Sequence, residues 1–366
     1  MAAFVGQVGN LRRIANPPAA GARKRSAGRL TSRRRLTTGP TILLLALACH
    51  AQDEPRPLEA DWVAHDFHFN SGEALPELRL HYFTLGTPKR DAVLILHDVA
   101  SEGRPFLASG FLGALFLKGQ PLDASRYYVI VPDAIGHGDS SKPSDGLRAK
   151  FPHYDDGDIV RAQYLLLRDG LKIDHLRLVL GIGMGGMQTW LWGERYPEFM
   201  DALMPLASSP AQIAGRHRLF RDLVIDSLRS DPARGKVIAQ FTQLLMTANP
   251  AQLQQMMPTS DVADSQFQTL RRKFARTGDA DDLLYQYEAS RNFDAEPDLG
   301  KIRVPLLAVN SADDELNPPE LAILERAIKL VPKGRYVLIP ASAETRGHNT
   351  AMRARVWRDY LSELLR

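Results

Sequence analysis

Short apolar runs alternate with helix-like stretches along most of the chain. Residues 78–84 alternate apolar and polar side chains and stop at Gly86-Thr87-Pro88, the pattern of an edge hairpin strand. Residues 92–96, 127–131, 177–181, 200–206, 304–309 and 335–339 are continuous apolar runs rich in branched residues. Such runs suit parallel strands buried on both faces. Helix-like sequence separates most of them, for example at 158–170 and 320–330. This alternation predicts an α/β architecture, a mostly parallel central sheet flanked by helices. The rhythm breaks once. Residues 213–292 show helical sequence punctuated by Pro232, Pro250, Pro258 and Gly278, with no strand signal. They are expected to form an inserted helical cap over a core made of residues 52–212 and 293–366.

Composition changes the picture at one end only. The 366 residues are 44% hydrophobic and 24% charged, ordinary globular values, with a formal net charge of +4. Nine of the 46 basic side chains lie in residues 1–51, which contain no acid; the remaining 37 face 42 Asp and Glu. The nucleic-acid partner that a basic protein suggests therefore loses its support in the rest of the chain.

Residues 1–51 run from Arg33-Arg34-Arg35 through an apolar stretch at 42–48 to Cys49-His50-Ala51. A basic region, a short apolar run and a small-x-Ala site read as a signal peptide, too short to persist as a membrane span. Export to the periplasm or medium is the expectation. Three variants stand beside it: a lipid-bearing Cys49, a twin-arginine signal at Ser32-Arg33-Arg34-Arg35-Leu36, and a true start near Leu30. Cys49 is the only cysteine, so beyond the leader no disulfide, thiolate nucleophile or cysteine metal site is available.

Candidate chemistry gathers at strand ends, where open α/β sheets bind ligands. His97-Asp98-Val99 follows one apolar run, Asp133 to Gly138 another, and Gly181-Ile182-Gly183-Met184-Gly185-Gly186 a third; Asp313-Asp314 and Gly347-His348 come later. With Gly136-His137-Gly138-Asp139-Ser140-Ser141, Gly185-Gly186-Met187-Gln188, Arg195-Tyr196-Pro197 and Asp314-Glu315-Leu316-Asn317-Pro318-Pro319, these stretches resemble the α/β-hydrolases, and within them the homoserine O-acetyltransferase branch. The resemblance spans residues 61–366. It implies an α/β-hydrolase fold in which a G-x-S-x-G elbow presents the nucleophile and an acid and a histidine follow. It makes His348 the histidine and Asp314 the acid, with Asp313 as the alternative. The nucleophile position falls on Gly183, which has no side chain to attack with.

The resemblance also implies an oxyanion hole formed by the backbone N–H groups of Met184 and Val99. Asp98 stands where a small neutral residue is usual; pointing inward, its carboxylate would repel a developing oxyanion. His97, His137 and Asp133 read as structural. Arg216, His217 and Arg218 open the helical interval as a solvated surface, with one arginine available to a substrate carboxylate.

No zinc pattern, phosphate loop or dinucleotide fingerprint is present, so neither metal nor cofactor is expected. The functional expectation is a protein resembling serine esterases and acyltransferases of small acyl esters, inactive or much weakened. Two alternatives remain open: a small-molecule-binding pseudohydrolase, and a His–Asp dyad that activates water. The partner is a small acyl-ester-like molecule, with no nucleic acid and no stable membrane span.

Overall fold

The computed structural model describes residues 55–88, 91–99 and 101–366. The leader expected at residues 1–51 lies outside the described residues. Within them, eight strands form one sheet: β1 (Leu58–His68), β2 (Ala74–Leu85), β3 (Asp91–Leu96), β4 (Tyr127–Pro132), β5 (Leu178–Ile182), β6 (Leu203–Leu206), β7 (Leu306–Ser311) and β8 (Gly334–Ile339). The spatial order is β1-β2-β4-β3-β5-β6-β7-β8. The β1–β2 and β2–β4 pairs are antiparallel and all others parallel.

The continuous apolar runs are explained by what covers each face. Val93 and Ile95 of β3, with Leu178 and Leu180 of β5, pack into one cluster with Phe106, Phe111 and Trp357. Leu94 and Leu96 of β3, with Val179 of β5, pack into the opposite cluster with Trp190 and Trp192. Alternate side chains leave a strand on opposite faces, so a strand covered on both must be apolar throughout. Helices α1 (Ser109–Leu115) and α10 (Ala354–Leu364) cover the first face; α2 (Asp156–Leu165) and α3 (Met184–Arg195) cover the second.

Between β6 and β7 the chain forms five helices: α4 (Gly215–Ser230), α5 (Pro232–Thr247), α6 (Pro250–Met256), α7 (Ser260–Phe274) and α8 (Ala280–Ala289). Two of the prolines that punctuate this interval are helix starters. Pro232 and Pro250 follow N-cap residues Asp231 and Asn249, whose side chains accept from Arg234 N and Gln252 N. Proline suits the first turn because its missing N–H would have no partner there. Val224, Ile225, Leu228, Ala239, Leu283 and Tyr287 form a small core of their own in this interval. No helix of the described residues is long and apolar enough to cross a membrane.

Two elements depart from the sequence reading. β1 is a strand the apolar pattern does not reveal, because only Ala64 and Phe67 of its eleven residues are buried. The stretch 320–330 is not one helix: Ala322 adopts a left-handed conformation (φ 49°), leaving short turns and α9 (Ile323–Ala327).

Candidate active site

The carboxyl ends of β3, β5, β7 and the chain beyond β8 converge on one point. β5 passes directly into α3 through Gly183, at φ 55° and ψ −113°, a conformation that costs a side-chain-bearing residue but not glycine. The turn is also tight. A Cβ on Gly185 would lie 2.4 Å from the Leu96 carbonyl oxygen, so only glycine lets α3 start this close to β3. The glycine run thus builds the strand–turn–helix elbow that the sequence anticipates.

Asp98, just past β3, turns its side chain into this elbow. Its Oδ1 accepts from the backbone N–H of Val99 at 2.7 Å and of Met184 at 2.9 Å. The two N–H groups expected to line an oxyanion hole therefore do aim at a common oxygen, and that oxygen belongs to Asp98. Met184 N is the first turn of α3, where the helix dipole favours an anion. Burial pushes the Asp98 carboxyl up, but His348 and the two N–H donors outweigh it and hold the group below its ordinary value. A Cβ added to Gly183 would fall 2.0 Å from Asp98 Oδ1. A side chain at 183 and this carboxylate compete for the same space.

The other half of the site is a buried histidine and its acid. His348 Nδ1 lies 3.0 Å from Asp314 Oδ2. Asp314, past the end of β7, is fixed by Leu316 N at 2.9 Å and Asn317 N at 3.2 Å on its Oδ1. The expected alternative acid, Asp313, does other work. It accepts from Thr345 Oγ1 at 2.9 Å and Gly347 N at 3.1 Å, tying down the loop that carries His348. His348 Nε2 is buried, makes no hydrogen bond, and lies 3.5 Å from Asp98 Oδ2. Burial disfavours the charged ring, yet the carboxylates of Asp314 and Asp98 together lift its pKa to about 10. At neutral pH His348 is an imidazolium between two carboxylates.

A cavity of about 590 Å³ opens onto these groups, lined among others by Asp98, Gly183, Met187, His217, Arg221 and His348. His217 faces this cavity rather than solvent, and burial with the neighbouring Arg221 charge lowers its pKa to about 3. Arg216 and Arg218 are tied to backbone carbonyls of Glu315 and Arg291. The cationic residue that the sequence reading overlooked is Arg221. It is 4% exposed, donates through Nη1 to Tyr287 O at 2.6 Å, and its Nε has no partner. One turn further along α4 than Arg218, it lies on the inner face; the i, i+3, i+4 spacing with Val224, Ile225 and Leu228 is the signal that gives it away.

His97, His137 and Asp133 hold loops. His97 Nε2 accepts from Ala134 N at 2.9 Å, His137 Nδ1 lies 2.9 Å from Ile135 O, and Asp133 accepts from Gly103 N and Asp139 N. Burial, with His97 beside it, keeps His137 uncharged, its pKa near 3.

A mostly parallel sheet, a strand–turn–helix elbow at its centre, and a buried acid–histidine pair from the last strand ends define a hydrolase-type α/β architecture. Comparison gives the family: the model of the alpha/beta hydrolase fold matches residues 107–344, and the chain belongs to that family. Its homologues include the homoserine O-acetyltransferase of Haemophilus influenzae, 29% identical over 283 residues, 65% of this chain and 78% of the relative. A probable acyltransferase of Methanothermobacter thermautotrophicus is 26% identical over 304 residues, 78% of this chain and 91% of that one. Among solved structures, the acetyl esterase MekB superposes with a TM-score of 0.71 at 21% identity, covering 84% of this chain and 96% of its own.

Proposed function

We propose that this protein takes a small acyl-ester-like molecule into its cavity and has given up serine-type acyl transfer. Gly183 holds the nucleophile position, Met184 and Val99 supply the oxyanion-hole N–H groups, and Asp98 fills that hole. His348 and Asp314 are the retained histidine and acid, and residues 213–292 act as the cap that shapes specificity. The acyltransferase and acetyl esterase relatives support an acyl ester as the ancestral ligand. Residues 1–51 are proposed to export the protein.

One observation carries the reading: a Cβ at 183 would lie only 2.0 Å from Asp98 Oδ1. Serine is absent, and a side chain at this position would require the Asp98 carboxylate to leave its place. The water-activating dyad fares worse, because an imidazolium held to a pKa of about 10 has no free lone pair to accept a proton at neutral pH.

The test is hydrolysis of p-nitrophenyl acetate and butyrate by four proteins: wild type, Gly183→Ser, Asp98→Gly and the double variant. Blocking an oxyanion hole costs on the order of 100-fold or more in rate. The double variant is therefore expected to exceed Gly183→Ser by about 100-fold, with wild type and Asp98→Gly at background. Full activity in Gly183→Ser alone, or wild-type turnover at esterase rates, overturns the reading.

A further inference from the structure

The antiparallel edge of the sheet holds another buried histidine, which the cavity does not use. His81 of β2 is 5% exposed and stands directly opposite Asp61 of β1. Its Nδ1 lies 2.8 Å from Asp61 Oδ1, so the ring donates there and Nε2 carries the lone pair. That Nε2 is buried and makes no hydrogen bond. Glu59 precedes Asp61 by two residues, on the same face of β1, and its Oε1 lies 3.3 Å from Nε2. Asp139, in the loop after β4, completes the group. One ligand atom each from Glu59, His81 and Asp139 lies within 4.8 Å of the others. Three electron-pair donors thus converge, and nothing donates a proton to the buried one.

We propose that Glu59, His81 and Asp139 bind a divalent transition-metal ion, zinc(II) foremost, with water completing the shell. One imidazole with two carboxylates suits zinc, whereas magnesium and calcium take oxygen ligands. In a tetrahedral zinc site, bonds of about 2.1 Å place neighbouring ligand atoms about 3.4 Å apart. The Glu59–His81 pair meets that spacing at 3.3 Å, and the exposed side chain of Asp139 closes the rest by rotation. Asp61 is the positioning residue: a carboxylate behind a ligating imidazole fixes its tautomer and raises its basicity. The backbone of His81 is fixed as well. Ser140 Oγ accepts from His81 N at 2.9 Å, and Asp133 N donates to His81 O at 2.8 Å.

Two cations stand beside the group. Arg104 Nη2 donates to Glu59 Oε1 at 2.9 Å, and a carboxylate has lone pairs for both a guanidinium and a metal. Arg79 is directed to Asp145 and to the backbone oxygen of Asp139. The ion has a structural task. β1 is the edge strand and buries only two of its eleven residues, so packing holds it weakly. A metal bond from Glu59 ties it to β2 and to the loop after β4, whose Gly136 O accepts from Gln286 Nε2 of α8 at 2.7 Å. No local spacing announces the site, because its ligands come from three separate segments. It uses no residue that lines the cavity, so it stands or falls apart from the proposed function.

The experiment strips the full chain with EDTA, dialyses it and titrates it with zinc chloride by calorimetry, with Tm followed in parallel. One zinc per chain is expected, with a rise in Tm. Asp61→Asn is expected to weaken zinc binding about 10-fold while keeping the fold. Glu59→Gln and Asp139→Asn, both at exposed positions, should weaken it further and lose most of the Tm rise, and His81→Gln should abolish it. Cobalt(II) in place of zinc is expected to give the intense visible bands of a four-coordinate ion, kept in Asp61→Asn and absent in Asp139→Asn. Should His81→Gln fail to fold, the exposed-carboxylate variants and the cobalt bands decide. No zinc uptake by wild type overturns the proposal, as does uptake unchanged in both Glu59→Gln and Asp139→Asn, which places the ion elsewhere. Magnesium bound as tightly as zinc also overturns it, since the imidazole is then not a ligand.

Discussion

The two halves of the site are built to different standards. The His348–Asp314 half is held throughout by hydrogen bonds: an acid fixed by Leu316 N and Asn317 N, a histidine 3.0 Å away, and a second acid, Asp313, securing the loop. The Gly183–Asp98 half is a strand–turn–helix elbow without a side chain at its tip, faced by a carboxylate. The elbow turns as it should and both N–H groups converge, but they grip a carboxylate of the protein itself. A Cβ at 183 and the Asp98 carboxylate would claim one volume.

The sharpest way to break this comparison is to damage the intact half. Asp314→Asn is expected to lower stability by roughly 3 kcal/mol, since it removes the nearer partner of a buried imidazolium. The effect stays at the low end for a buried pair because Asp98 remains 3.5 Å from the ring. Chemical unfolding at pH 7 reads it, and a loss below about 1 kcal/mol would mean that the ring carries no charge. Next comes the Gly183–Asp98 half. Gly183→Ser is expected to cost roughly 1–3 kcal/mol, from the left-handed backbone and the collision with Asp98. Adding Asp98→Gly should recover at least about 1 kcal/mol of that, a coupling a double-mutant cycle measures directly. Strictly additive losses would show that the two positions do not compete.

The same contrast separates what the sequence discloses from what it hides. The seven apolar runs and the elbow glycines are legible because period and chain order carry them, and Asp314 and His348 because the resemblance to the α/β-hydrolases marks them. β1 is not legible, since an edge strand with nine of eleven residues unburied has no pattern to follow. The break at Ala322 is hidden too, because a left-handed alanine leaves no compositional mark. The direction of Asp98 lies beyond any sequence argument: inward and outward rotamers share one residue letter, and only the two N–H donors decide between them. Arg221 was within reach of helical spacing, but the more conspicuous Arg216-His217-Arg218 cluster draws the eye first.

The smallest effect tests the link between the halves. The charged His348 ring faces Asp314 through Nδ1 and Asp98 through Nε2, and the two carboxylates raise its pKa from an unfolded value near 6.5 to about 10. Between those values the folded state holds a proton that the unfolded state has lost. Stability is therefore fully present below about pH 6.5 and falls as pH rises through about 10. Glu194, raised to about 8 by burial, adds a slope of the same sign but only up to that pH. His137 and His217, both near 3, act on the acid side. The window from pH 8 to 10 thus isolates His348 from these three. In that window Asp98→Asn removes one of the two carboxylates that hold the proton, so the fall of unfolding free energy with pH should be shallower than in wild type. Equal slopes would mean that Asp98 does not stabilise the charged ring, and the two halves would then be neighbours without being coupled.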